Sequence, residues 1–198
     1  VSFNQNNSPQ LSKKEMRETR HFSNFYRDPG FEFEYDKITW KDTEIPFQFY
    51  RWIRPQQANE SDSAYQARLN FAEKIKNAET CSKAYFLQSF VKFRKSDGEA
   101  YKTSRFPSFR QAAADVMEAY NQGVRRPKMD EDQDYALMKE LNFAKFSQNS
   151  YLKSKLKATG NLFLIEHTRR DILWGDGGQR NFGKNWLGKI LMEVRDLI

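Results

Sequence analysis

Five of the nine glycines, Gly175, Gly177, Gly178, Gly183 and Gly188, fall within fourteen residues that lead into the last stretch of the chain. That stretch places Leu187, Ile190, Leu191, Val194 and Leu197 at steps of three and four, which aligns them on one face of an amphipathic helix. Glycine lacks the Cβ that keeps other residues apart, so a cluster like this lets backbone approach backbone, or backbone approach a ligand. Two readings fit. The glycines turn the chain into the helix, or they present free N–H groups at a helix N-terminus that hold an anion. A third reading fails: Gly178-Gln179-Arg180-Asn181-Phe182-Gly183-Lys184 approaches a Walker A loop, but Asn185 stands where a Mg²⁺-binding hydroxyl is required. The preceding Trp174-Gly175-Asp176-Gly177 also does not read as a buried strand.

Upstream, Phe31, Phe33 and Tyr35 alternate with Glu32, Glu34 and Asp36, and Lys37-Ile38-Thr39-Trp40 follows a short turn. This predicts a β-hairpin with one aromatic face. Helical spacing then dominates: 42–52, with Pro46 tolerated in the first turn; 63–78, with Leu69, Ala72 and Ile75 on one face; 108–122, capped by Ser108 and Gln111 and stopped at Gly123; 130–147, carrying Leu137, Leu141, Ala144 and Lys145; and 149–158, ending at Gly160. Residues 161–167 read as a short buried strand. The fold class expected is mostly helical α+β, with few strands. Residues 1–20 are expected as a flexible leader and 21–198 as one domain, since 198 residues suffice for one well-packed core.

With 33 Lys and Arg against 26 Asp and Glu, the net charge is +7, which favours anionic partners. One cysteine excludes a disulfide framework and suits a reducing, intracellular setting. Two histidines leave little room for a metal site or a histidine relay, so chemistry falls on carboxylates; neither metal nor cofactor is implied. Apolar runs are far shorter than the roughly 20 residues a membrane span needs, which predicts a soluble protein.

Two carboxylate regions stand out. Glu44 opens a helix with Gln48 and Arg51 on the same face at i+4 and i+7. A helix N-terminus favours its ionised form, and a solvated helix-start glutamate is the alternative. Asp176 lies between glycines, with Asp171 and Trp174 close by and Lys184 at the loop exit. Trp174 is either a ring face for a base or part of the core, and Lys184 either meets phosphate, attacks as an amine, or is solvated. Rings and cations interleave from Tyr85 to Arg110 through Lys92, Arg94, Lys95 and Arg105, and Arg125 and Arg126 add a second cluster. That pattern suits single-stranded nucleic acid, or equally an amphipathic segment with a solvated basic face.

Phe22-Ser23-Asn24-Phe25, Trp40-x3-Glu44-x3-Gln48, Lys145-Phe146-x-Gln148-Asn149, Leu164-Ile165-Glu166-x4-Asp171-x2-Trp174-Gly175-Asp176-Gly177 and Gly183-x-Asn185-x-Leu187-Gly188-x2-Leu191-Met192-x2-Arg195 occur in that order. Together they resemble the NADAR (YbiA-like) family. The resemblance implies a YbiA-like fold and cleavage of a bond between ribose and nitrogen. It implies Glu44 as the essential glutamate, with Asp171, Trp174 and Asp176 as site residues. Phe22, Asn24, Gln48, Arg51, Gly175, Gly177, Gly178, Gly183 and Asn185 are then expected around the substrate. The stretch from about 80 to 125 has no counterpart in short bacterial members, and 127–130 lacks a tryptophan that many of them carry. The expected activity is therefore removal of ADP-ribose from guanine in nucleic acid. Hydrolysis of ribosylated riboflavin-pathway intermediates is the second expectation, and a binding module without turnover the third. Breaking the bond builds positive charge at the anomeric carbon, which an anionic carboxylate stabilises while a second activates water; Glu44 and Asp176 are assigned these two tasks.

Overall fold

The computed structural model describes residues 2–3, 19–88, 110–128, 130–168, 171–178 and 182–198. Lys92, Arg94, Lys95 and Arg105, like the capping residue Ser108, lie outside them. The elements are β1 (Ser2–Phe3), a 3-10 turn (Arg20–Phe22), β2 (Phe33–Tyr35), β3 (Ile38–Trp40), α1 (Glu44–Trp52), α2 (Asp62–Lys76), α3 (Cys81–Gln88), α4 (Arg110–Asn121), α5 (Glu131–Ser147), α6 (Ser150–Lys157), β4 (Ile165–Glu166) and α7 (Trp186–Leu197). The fold is mostly helical α+β. The chain groups into two compact units, the first built from 1–43 and 131–198 and the second from 44–130. No helix among the described residues is long and apolar enough to cross a membrane.

In the first unit the hairpin forms where the alternation predicts it. Asp36 and Lys37 both take positive φ, the geometry of a two-residue turn that matches strand twist. Phe31, Phe33 and Trp40 are buried beneath it. The open edge of β2 is met by one side chain: Gln148 accepts from Glu34 N at 2.7 Å and donates to Glu34 O at 2.8 Å, reproducing a strand's exchange of hydrogen bonds. Asn149 caps α6 by accepting from Leu152 N. Phe146 packs on Phe22, and the fully buried Lys145 donates from Nζ to Ser23 O at 2.8 Å while lying over the Tyr26 and Phe146 rings.

The elements described in the second unit are all helices. Trp52 packs on Phe71 with ring centroids 4.8 Å apart. Arg68, fully buried, pairs with Glu60 and donates to the carbonyls of Trp52, Arg54 and Pro55, satisfying acceptors that the end of α1 leaves open. Lys74 links α2 to Asp115 and Glu118 of α4. The groove between those helices is only about 70 Å³, small beside the few hundred Å³ of ordinary ligand pockets.

Three expectations need correction. Ser2–Phe3, within the stretch read as loose leader, pairs in parallel with Ile165–Glu166 and so extends the short β4 by a neighbour. Leu197, the last residue of α7, is 61% exposed although Leu187, Ile190, Leu191 and Val194 are buried, so the apolar stripe stops short of the helix end. Residues 81–88, of which only 85–88 fall in the interleaved segment expected from sequence, form α3. Thr80 starts it by accepting from Lys83 N, and Ala84 and Leu87 are buried while Tyr85 is exposed.

His21 is 5% exposed, and its Nε2 has no hydrogen-bond partner among the described residues. Burial first, then the charges of Lys145, Lys155 and Arg20, push the imidazole down from its ordinary 6.5 to about 4. The folded state therefore keeps His21 neutral while the unfolded chain protonates it near 6.5. The associated stability is complete above 6.5 and is lost as pH falls toward about 4, by about 3 kcal/mol. In urea unfolding, the stability difference between wild type and His21→Phe is expected to shrink by that amount between pH 7 and pH 4; parallel curves would refute this account.

Candidate functional site

Glu44, Gln48 and Arg51 are brought together in the second unit. Glu44 opens α1, Gln48 Nε2 donates to Glu44 Oε1 at 2.8 Å, and Arg51 Nη1 donates to Gln48 Oε1 at 3.2 Å. The three are 5, 4 and 6% exposed, so Glu44 is not a solvated helix-start residue. Helical spacing alone sets this relay, because residues three and four apart stand over one another. The Gln48 amide links the guanidinium to the carboxylate through these two hydrogen bonds.

In the first unit, Asn24 holds the residue that precedes Glu44. Thr43 donates from its backbone N to Asn24 O and from Oγ1 to Asn24 Oδ1 at 3.0 Å. Lys145 fixes the adjacent Ser23 carbonyl. Phe22 is a core ring against His21 and Phe146, a different environment from the substrate contact expected of it.

The loop from 171 to 185 is the other candidate region. Asp171 Oδ1 accepts from Leu173 N and Trp174 N, both at 2.9 Å. Asp176 Oδ1 accepts from Thr168 N at 3.1 Å and Gly178 N at 2.9 Å, and its Oδ2 lies 2.7 Å from His167 Nδ1. Trp174 is half-buried and packs edge to face on Trp186, which meets Tyr135 in the same way. Lys184 sits over the Trp186 ring and pairs with Glu131 at 2.6 Å.

The anion cradle expected of the glycine cluster is not formed by these amides. The N–H groups of Asp176, Gly177, Gly183, Lys184, Asn185, Trp186 and Leu187 donate to the carbonyls of Glu166, Asp171, Asp176, Ile172, Gly175, Leu173 and Trp174 in turn. The glycines serve close backbone packing instead. A Cβ on Gly183 would fall 2.2 Å from Gly175 O, and one on Gly188 2.2 Å from Leu164 O. Asn185 completes the arrangement. In left-handed conformation (φ 51°) and buried, it donates from Nδ2 to Leu164 O at 2.8 Å and accepts at Oδ1 from Glu166 N at 2.9 Å, joining β4 to α7.

Arg125 is exposed, donates to Val124 O, and lies over the Tyr120 ring; Arg126 is half-buried. His167 is not among the sequence candidates because two histidines leave little room for a relay, whereas one histidine and one carboxylate suffice for an oriented pair. Lys145 was missed as a buried charge. Its position between Ala144 and Phe146, on a face shared with Leu141, is the available signal.

Residues 10–198 match the family model for the NADAR domain, and the chain belongs to that family. It is 35% identical to the N-glycosidase YbiA of Escherichia coli over 120 residues, 52% of this chain and 73% of that protein. It is similar to riboflavin biosynthesis protein VVA0006 of Vibrio vulnificus, 52% identical over 52 residues, but these make up 26% of this chain and 14% of that one. The solved NMR structure of E. coli YbiA matches with a TM-score of 0.56 at 22% identity, covering 100% of this chain and 84% of that chain, and shares its fold.

Replacing Asn185 with Ala removes both partners of two backbone groups and puts a Cβ residue without local hydrogen bonds at positive φ. The expected loss in urea unfolding is about 2–4 kcal/mol. Asn185→Gly, which accepts the backbone conformation but not the hydrogen bonds, should lose less. A loss below about 1 kcal/mol in the alanine variant would show that this clamp does not hold β4 to α7.

Proposed function

We propose that this NADAR domain hydrolyses N-glycosidic bonds and that its substrate is ADP-ribosylated guanine carried on nucleic acid. The observation that carries the hydrolase reading is Glu44: a buried carboxylate with its geometry fixed by Gln48 and, through it, Arg51. As the ribose–nitrogen bond breaks, positive charge grows on the anomeric carbon and ring oxygen. A preorganised anion stabilises that charge more in the transition state than in the ground state, and in a buried site it does so without reorganising water. The relatives named N-glycosidase support the bond class.

The substrate is argued from charge. A net +7 favours a polyanion, and Arg125 over Tyr120 pairs a cation with an exposed ring, the combination that suits phosphate and base together. The second reading, a ribosylated riboflavin-pathway intermediate, is favoured by the relatives named for riboflavin biosynthesis.

Incubation with an oligonucleotide bearing ADP-ribosylguanine should release ADP-ribose and restore guanine. Turnover of the riboflavin intermediates alone would move the assignment to the second reading. Glu44→Gln keeps the shape and removes the charge, so kcat should fall by at least about 10²; a folded variant with unchanged kcat would remove Glu44 from the chemistry.

The polyanion reading makes a separate demand. Affinity for the oligonucleotide should fall with salt with a log–log slope of about −0.7 for each neutralised phosphate on a single strand. The modified nucleoside alone should respond less. Reversing charge at Lys92, Arg94 and Lys95 should flatten the oligonucleotide's salt dependence and spare the nucleoside. Equal salt dependence for both, unchanged by the reversal, would point to a small-molecule substrate.

A further inference from the structure

Among the described residues, His167 and Asp176 form an oriented pair, and no other part of the proposed chemistry uses the histidine. Nδ1 of His167 lies 2.7 Å from Asp176 Oδ2, and both side chains are 13% exposed, sheltered yet reachable. The carboxylate is held independently of the histidine. Its Oδ1 takes Thr168 N and Gly178 N, and the Asp176 backbone N donates to Glu166 O. The surrounding turn is closed as well: Thr168 Oγ1 bonds both the N and the O of Asp171, and Gly177 N donates to Asp171 O. Asp176 is thus a fixed acceptor, and an acceptor at Nδ1 selects the tautomer with hydrogen on that atom. Nε2 then becomes the atom that exchanges protons, and it makes no hydrogen bond to any described residue.

We propose that His167, oriented by Asp176, is the proton carrier for the leaving nitrogen in N-glycoside cleavage. The inference rests on the reading that the domain hydrolyses N-glycosidic bonds, and it names an acid for the leaving nitrogen. As the ribose–nitrogen bond breaks, its electron pair passes to the base nitrogen, which takes a proton from Nε2 of the imidazolium. Water then bonds to the anomeric carbon and gives a proton to the now neutral Nε2. The sum is one water added across the bond with His167 restored, and no other reactant is required. Within this scheme Asp176 is a positioning residue: its oxygens hold the ring and stabilise the imidazolium, in the manner of a buried aspartate behind a catalytic histidine.

The test compares wild type, His167→Gln, His167→Ala, Asp176→Asn and the His167→Ala/Asp176→Asn double variant on the ADP-ribosylguanine oligonucleotide and the riboflavin intermediates. Wild-type turnover of neither substrate removes the hydrolase reading and this inference with it. Given wild-type turnover, both His167 variants should lose about 10²–10⁴ in kcat, as expected for a lost general acid. Wild type is expected to lose rate on the alkaline side, that fall should vanish in the two His167 variants, and added imidazole should partly restore His167→Ala. The double variant should be no slower than His167→Ala, because the two residues act as one unit. Folded variants with wild-type rates overturn the proposal, as does a loss that keeps the alkaline limb and resists imidazole. A measurement free of substitution guards against variants that do not fold. With only two histidines in the chain, long-range ¹H–¹⁵N correlation reads the tautomer of neutral His167 directly, and hydrogen on Nε2 instead of Nδ1 would overturn the assignment.

Discussion

The backbone of the segment between β4 and α7 has to be satisfied without a sheet. β4 is two residues long, so the polar groups of the chain that follows it have no ladder to join, and buried N–H and C=O groups left unmet are costly. Three short polar side chains do the work of a ladder. Asp171 and Asp176 accept backbone N–H groups on either side of Trp174, and Asn185 ties both flanks of Ile165 to the start of α7. Glycine is required where one strand of backbone passes another, at Gly183 against Gly175 and at Gly188 against Leu164. The orientation of Asp176 toward His167 is a product of the same closure: once Oδ1 is taken by two N–H groups, Oδ2 is fixed in direction.

Three charged groups in the interior of the described residues are met by hydrogen bonds. Arg68 is surrounded by carbonyls and Glu60, Lys145 lies between a carbonyl and two rings, and Glu44 is bonded by an amide that is itself bonded by a guanidinium. Removing one partner of such an arrangement leaves a buried charge exposed to a low-polarity environment, which is why these groups fix conformation. The segment from Lys145 to Asn149 is scaffolding of this kind: a buried ammonium, a core ring, an amide that completes the hairpin edge and a helix cap in five residues. His21 bears the consequence, since the cations around it together with its burial hold it neutral.

Periodicity made much of this legible. The hairpin, the stripe of α7 through Val194 and the common face of Glu44, Gln48 and Arg51 follow from spacings of two, three and four. Local geometry places those side chains whatever the rest of the chain does. Gly123 and Gly160 likewise take positive φ where helix ends were expected. The helix at 81–88 was less legible, because its aromatic and cationic residues lack a marked apolar stripe and only Thr80 announces its start.

The sequence by itself determined the hairpin, most of the helices, the family resemblance and the residues that bear charge on particular helix faces. Only the tertiary structure decided that the glycine loop spends its amides on its own carbonyls, that Gln148 closes the hairpin from 114 residues away, and that His167 meets Asp176. The physical reason is that spacing encodes which neighbours a residue has along one element. Hydrogen-bond partners between loops depend on which backbone groups remain unsatisfied after the elements form, and that is known only when they have packed.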